Sequence, residues 1–375
     1  MKFASIVFFL LCIQLSATRE VLIYFCAHVD YMYAPILTTL KVGFEEHNKF
    51  KVRIAEHTIC GGHFYTSERY IALMRNDTTY LSRGDIFIFV GTNFRVGNAV
   101  HELKLRGVIS IHFETEPHRW FEFYNLNSTI IWSELWFYSI ARRNQLDLKT
   151  YKGEVRIIPP GHALNVKWNV YNKLSEINQH DYLSWHVNGN SVQEKKIESK
   201  SVALCHYNSP PQMIFMGWLT SERQHCFNMA QKTSVVARAK VQMVDSINSE
   251  EDFSAFLRHS QQNSSTVFVN IHKTSCAINS QALLLPCESF RFSQILQRGC
   301  VVISQACYEH EQYKDIILFE NNFFSNQWSL RTRDLLQNAT KMQQFAWHAQ
   351  RLYRAHFDPV HLFIKAKVYN ANWWP

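Results

Sequence analysis

PCESFRFSQILQRGCVVIS, Pro286 to Ser304, sets an acidic and a basic residue three apart. An apolar stripe, a glycine and a run of β-branched residues follow. The 3.6-residue spacing predicts a helix over Phe290–Gln297, Gly299 predicts its end, and Cys300–Ser304 reads as a buried strand. On a helix beginning near Glu288, Glu288 and Arg291 lie on one face, where an ordinary ion pair contributes only about 0.2–0.5 kcal/mol. A helix N-terminus also presents unpaired N–H groups and a positive dipole, which suit phosphate. Glu288 can accept from ribose hydroxyls, and the planar fork of Arg291 matches a diphosphate.

Working outward, the same strand and helix alternation runs through the chain. Short apolar runs occur at Val21–Phe25, Ile86–Val90, Val108–Phe113 and Val155–Ile158, with helix-length segments such as Tyr33–Asn48 and Thr66–Asn76 between them. A second series occupies Met213–Met216, Val241–Val244, Thr266–Ile271, Cys300–Ser304 and Ile316–Phe319. The segments between these runs are Glu222–Lys232, Glu251–His259 and Phe290–Gln297. Nearly continuous apolar strands separated by helices imply parallel sheets covered on both faces. Two series imply an α/β chain of two Rossmann-like, doubly wound domains. Ligands of such domains bind beyond the carboxyl ends of the strands, where the strand order reverses.

The 375 residues also fit two domains better than one. We expect the amino-terminal domain over 19–162, a linker or insertion over 163–210, the carboxyl-terminal domain over 211–345, and a terminal helix and tail over 346–375. Pro159-Pro160-Gly161 closes the first series. KMQQFAWHAQRLYRAHF, after Asn338, has helical periodicity. The net charge of +8 comes from scattered Lys and Arg with no dense basic tract, which argues against a nucleic-acid partner.

Residues 1–18 carry one Lys and an apolar run, the pattern of a signal peptide or short signal anchor. Weak membrane association through this segment is expected. Sequons at Asn76, Asn127, Asn263 and Asn338, with eight cysteines beyond residue 18, fit the secretory pathway, an ER or Golgi lumen, or secretion. Eight cysteines leave the disulfide pairing open. No Cys-x-x-Cys suggests structural zinc, and no Gly-x-Ser-x-Gly, His-Glu-x-x-His or P-loop is present.

The ordered set of motifs resembles the nucleotide-sugar glycosyltransferases of the GT-B fold. Their second domain commonly carries a strand ending in Asn-x-His, a Glu-x-x-Arg helix, a Gly and a Val-Val-x-Ser strand. Here these read Asn270-Ile271-His272, Glu288 to Arg291, Gly299 and Val301-Val302-Ile303-Ser304. MIFMGWLTSER, SIHFETEP, LWFYSIARRN and VRIIPPG extend the likeness, which covers roughly residues 86–162 and 211–320. The chain departs from the pattern at Gln294 and Gln305, where many members carry an acid.

The resemblance implies a metal-independent transferase without a cofactor. A nucleotide-diphosphate sugar would be the donor, and a glycan or glycoprotein the acceptor. It implies donor contacts at Gly217, Arg223, His272, Lys273, Glu288 and Arg291. His28, Asp30 and Glu116 are the candidate catalytic residues on the acceptor side; Glu114 and Glu116 follow a strand, where they would either contact acceptor hydroxyls or lie in a solvated turn. A divalent cation would need an Asp-x-Asp pair, and none occurs. Two other readings stay open: a catalytically silent glycan binder and a periplasmic-type binding module of two α/β domains.

Overall fold

The computed structural model describes residues 19–25, 30–56, 68–91, 96–115, 132–144, 151–162, 205–207, 211–216, 221, 223–225, 241–244, 255–256, 259, 265–271, 285–320 and 329–368. The expected signal segment and almost all of the expected insertion lie outside these residues.

The first half forms β1 (Glu20–Phe25), α1 (Asp30–Val42) with a π-helical turn at Gly43–His47, β2 (Lys51–Glu56), α2 (Glu68–Asp77) and β3 (Ile86–Val90). These are followed by α3 (Gly97–Leu105), β4 (Ile109–Glu114), β5 (Glu134–Phe137), α4 (Ile140–Asn144) and β6 (Glu154–Ile157). The second half forms β7 (Pro211–Met216), β8 (Val241–Val244), β9 (Ser265–Asn270), α5 (Ser289–Leu296), β10 (Val301–Ser304), α6 (His310–Tyr313) and β11 (Leu318–Phe319). Three helices close the described residues: α7 (Leu330–Gln337), α8 (Ala339–His356) and α9 (Pro359–Lys365).

The strands build two all-parallel sheets, ordered β2-β1-β3-β4-β5-β6 and β11-β10-β9-β7-β8. The two-domain, doubly wound architecture expected from the sequence is therefore present. Read from its second strand, each sheet begins in the same order, second-first-third-fourth-fifth. The direction of winding reverses between β1 and β3 in one sheet and between β7 and β9 in the other. Those two switch points are where such folds place ligands.

Burial explains the strands. Residues of β3 and β9 are buried along their whole length, as expected for sheets covered on both faces. Two strands escaped the sequence reading. β2, KVRIAE, is a half-exposed edge strand whose alternation lacks a continuous apolar run. β5, ELWF, buries Glu134 because Arg156 and the Trp136 indole both donate to its carboxylate, each at 2.8 Å. The expected Ile316–Phe319 strand shrinks to Leu318–Phe319, since Ile316 and Ile317 close a turn on the Tyr313 carbonyl.

Helix ends follow side-chain chemistry. Ser329, Asn338 and Asp358 cap α7, α8 and α9 by accepting from Thr332, Lys341 and His361 backbone N–H groups. Gly299, at φ +67°, turns the chain from α5 into β10 in a conformation that side chains other than glycine rarely adopt.

The carboxyl-terminal helices join the halves. Met342, Ala346, Ala349 and Tyr353 of α8 lie in the core of the second sheet, whereas Phe363 of α9 and Val368 lie in the core of the first. Arg156 of β6 fastens this crossing by donating to the Ala366 and Lys367 carbonyls at 3.0 and 2.5 Å. Gly161 sits where a Cβ would come within 2.6 Å of the Phe357 carbonyl. Only glycine lets the end of the first domain approach the crossing chain this closely.

Candidate functional site

Helix α5 lies between the domains. Phe290 packs against Tyr33 of α1 and Tyr138 beyond β5, with ring centroids 6.1 and 5.0 Å apart. Such aromatic pairs contribute about 0.5–1.5 kcal/mol beyond the area they bury. Ser293 donates to the Gly161 carbonyl at 2.8 Å. The helix that carries Glu288 and Arg291 is thus held by first-domain groups on one side and by its own sheet on the other.

On the sheet side, Glu288 stands at the N-terminus of α5 between two guanidinium groups. Arg223 Nη2 lies 3.2 Å from one carboxylate oxygen and Arg291 Nη1 lies 3.5 Å from the other. Arg223 also donates through Nε to the Ile271 carbonyl just past β9, at 3.0 Å. Arg291 donates to Asn270 Oδ1 at the end of β9. Both guanidiniums stand near the ring of Phe215, the penultimate residue of β7, at 5.2 and 5.8 Å from its centroid. An aromatic face attracts cations and so helps seat two like charges together.

These groups converge on the β7 and β9 ends, the switch point of the second sheet. Burial pushes the Arg223 guanidinium down to about 10; Glu288 opposes that shift and Arg291 adds to it. Arg223 therefore stays charged at neutral pH. Among the described residues, two guanidiniums stand against one carboxylate in this cluster, one positive charge in excess.

A small recess, not of ligand size, lies between the domains, lined by Tyr138, Ser139, Pro159, Ser289, Glu309 and Gln312 among others. Glu309, beside α6, links its two walls. Its carboxylate accepts from Ser139 Oγ and the Ala141 N–H of the first domain, the latter at 3.0 Å, and from the Cys287 N–H at 3.0 Å. Cys287 and Cys307 form a disulfide that ties the residue before Glu288 to the loop bearing Glu309. A second disulfide joins Cys205 and Cys300.

The structure thus brings together Arg223, Glu288 and Arg291 of the expected donor contacts. Gly217, His272, Lys273, His28 and Glu116 lie outside the described residues, and Asp30 is the first residue of α1. Glu114 is not in a solvated turn: it ends β4, buried, with Arg142 Nη2 3.9 Å away. Sequence reasoning missed Asn270 and Glu309 as site residues. The strand-end position of Asn270 was a usable signal. Glu309 carried none, because its first-domain partners lie 168 and 170 residues away. Among the described residues no group of three or more His, Cys, Asp or Glu could hold a metal ion, and no helix is long and apolar enough to cross a membrane.

No protein-family model matches the chain, and no curated protein matches it. Solved structures are similar only at a distance. A UDP-N-acetylglucosamine 2-epimerase from Listeria monocytogenes, described as putative, is 11% identical, with TM-score 0.41, over 94% of this chain and 97% of that one. The N-terminal domain of a Candida albicans trehalose-6-phosphate phosphatase is 9% identical, with TM-score 0.44, over 93% and 96%. A trehalose 6-phosphate synthase from Burkholderia multivorans is 10% identical, with TM-score 0.40, over 95% and 98%. At these values the likenesses carry no argument; the fold rests on the strand pairing above.

Proposed function

We propose that this chain is a metal-independent glycosyltransferase that moves a sugar from a nucleoside-diphosphate sugar to a glycan or glycoprotein acceptor in the secretory pathway. The observation that carries the reading is the Arg223–Glu288–Arg291 cluster. It places two guanidiniums against one carboxylate at the switch point of a doubly wound sheet, on the helix that the first domain packs against. The Asn-x-His, Glu-x-x-Arg and Val-Val-x-Ser motifs support it from the sequence, and the two disulfides support an oxidising compartment.

In this reading Arg291 and Arg223 neutralise the diphosphate, and Glu288 accepts from ribose hydroxyls with the lone pairs its arginine partners leave. His272, Lys273 and Gly217 complete the donor contacts. The acceptor hydroxyl oxygen attacks the anomeric carbon as the bond to the diphosphate breaks. A base among His28, Asp30 and Glu116 takes its proton. Charge developing on the leaving diphosphate is met by groups already in place, which is the most effective form of electrostatic catalysis.

The test is thermal stabilisation of the protein by UDP, GDP, TDP and their sugars. The reading expects a shift for one nucleotide that Arg291→Ala abolishes. No shift with any of them, in folded protein, excludes it. Gln294 and Gln305, both buried, favour a second reading of a glycan binder without turnover, because Gln keeps hydrogen bonds but not charge. Donor binding with no release of nucleoside diphosphate across a broad acceptor panel would select that alternative.

A further inference from the structure

Arg291 does not reach its position by sequence spacing alone. Its guanidinium donates to Asn270 Oδ1, and Asn270 Nδ2 donates to Ser304 Oγ at 3.0 Å. Ser304 Oγ in turn donates to the Gln305 carbonyl at 2.8 Å, and the Gln305 N–H returns to the Asn270 carbonyl at 3.3 Å. Asn270 and Ser304 are register partners in the parallel pair β9–β10, and both are fully buried.

The polarity of this chain is forced. A guanidinium only donates, so the amide must turn its oxygen to Arg291 and its NH₂ to Ser304. That leaves the serine hydroxyl free to donate onward to Gln305. An aspartate at position 270 would satisfy Arg291 equally well but would cancel the excess charge of the cluster.

We propose that Asn270 and Ser304 are positioning residues for the anion site. Together they aim Arg291 across the carboxyl end of the second sheet, and by remaining neutral they preserve the positive charge that an anionic ligand needs. The inference rests on the reading of this cluster as the diphosphate site, and it assigns the cluster's geometry and charge to residues that need not touch the ligand.

Pyrophosphate and the stabilising nucleoside diphosphate, titrated calorimetrically into the whole protein, are the probes. Asn270→Asp is expected to keep the unliganded melting temperature within a few degrees while weakening both ligands at least tenfold. In an Arg291→Ala background the neutral Ser304→Ala should have no further effect, an outcome that a merely structural role would not produce. Ser304→Ala should weaken both ligands several-fold, and it carries the test should Asn270→Asp fail to fold. Wild-type affinity in either folded variant overturns the positioning role and leaves the donor reading intact. A wild-type protein that binds neither probe overturns the donor reading itself, and this inference with it.

Discussion

At the scale of single residues, Glu288 is the informative one, because its two possible roles predict opposite signs. As a mere counter-ion it weakens an anion site, and Glu288→Ala would tighten both pyrophosphate and nucleoside diphosphate. As a ribose ligand it is needed by the nucleotide alone. The account predicts that Glu288→Ala leaves pyrophosphate affinity unchanged or higher and lowers nucleoside diphosphate affinity about tenfold, roughly 1.4 kcal/mol. Calorimetric titration of the two ligands reads the split. A second residue gives a pH signature. His112 is buried on β4, its ring stacked on Trp132 at 5.1 Å and its Nε2 2.6 Å from the Gly91 carbonyl. Burial pushes its pKa below the ordinary 6.5, against the pull of Glu114 and the Gly91 carbonyl, with Arg142 lowering it further. The unfolded chain therefore binds a proton that the folded chain refuses. Stability from this group is complete above 6.5 and is lost as pH falls below it. His112→Gln, which retains a donor for Gly91, should flatten the decline in melting temperature between pH 7 and 5.

At the scale of elements, α5 depends on what anchors its ends. The Cys287–Cys307 disulfide closes a loop with a sequence separation of 20, immediately before the charged pair. Its loss through a paired Cys287→Ser and Cys307→Ser substitution should cost about 3 kcal/mol by the loop-entropy argument. It should also weaken nucleotide binding, because Cys287 N–H holds Glu309 and precedes Glu288. Urea unfolding and titration of the same variant measure both. This helix was the most legible part of the sequence: its apolar stripe, its glycine and the following buried strand are all local signals. β2 and β5 were not, since one is a half-polar edge and the other begins with a glutamate made tolerable by Arg156 and the Trp136 indole. The disulfide pairing was illegible for the same reason as Glu309, because long-range contacts leave no mark on local spacing. Of the candidate site, the Glu288–Arg291 pair could be read from its spacing and Asn270 from its place at a strand end, but the hydrogen bond by which Asn270 supports Arg291 could not.

At the scale of the whole molecule, the chain is stitched across its two sheets by α8, α9 and Val368. Arg156 holds both Glu134 and the end of α9, so Arg156→Ala leaves a buried carboxylate without its ion pair and unfastens the crossing. A loss of about 3–5 kcal/mol is expected, together with earlier proteolytic cleavage near α9. Gly161→Ala should act at the same seam, because its methyl meets backbone rather than a mobile side chain. The terminal crossing, the Glu309 link and the packing of Phe290 on the first domain all converge on α5. The molecule therefore holds its positive cluster at the junction of its halves, where a donor and an acceptor would meet. The most direct test is a crystal structure grown with the nucleoside diphosphate that stabilises the protein. The account predicts the diphosphate within hydrogen-bond reach of Arg223 and Arg291, at the ends of β7 and β9. A nucleotide seated anywhere else would contradict it.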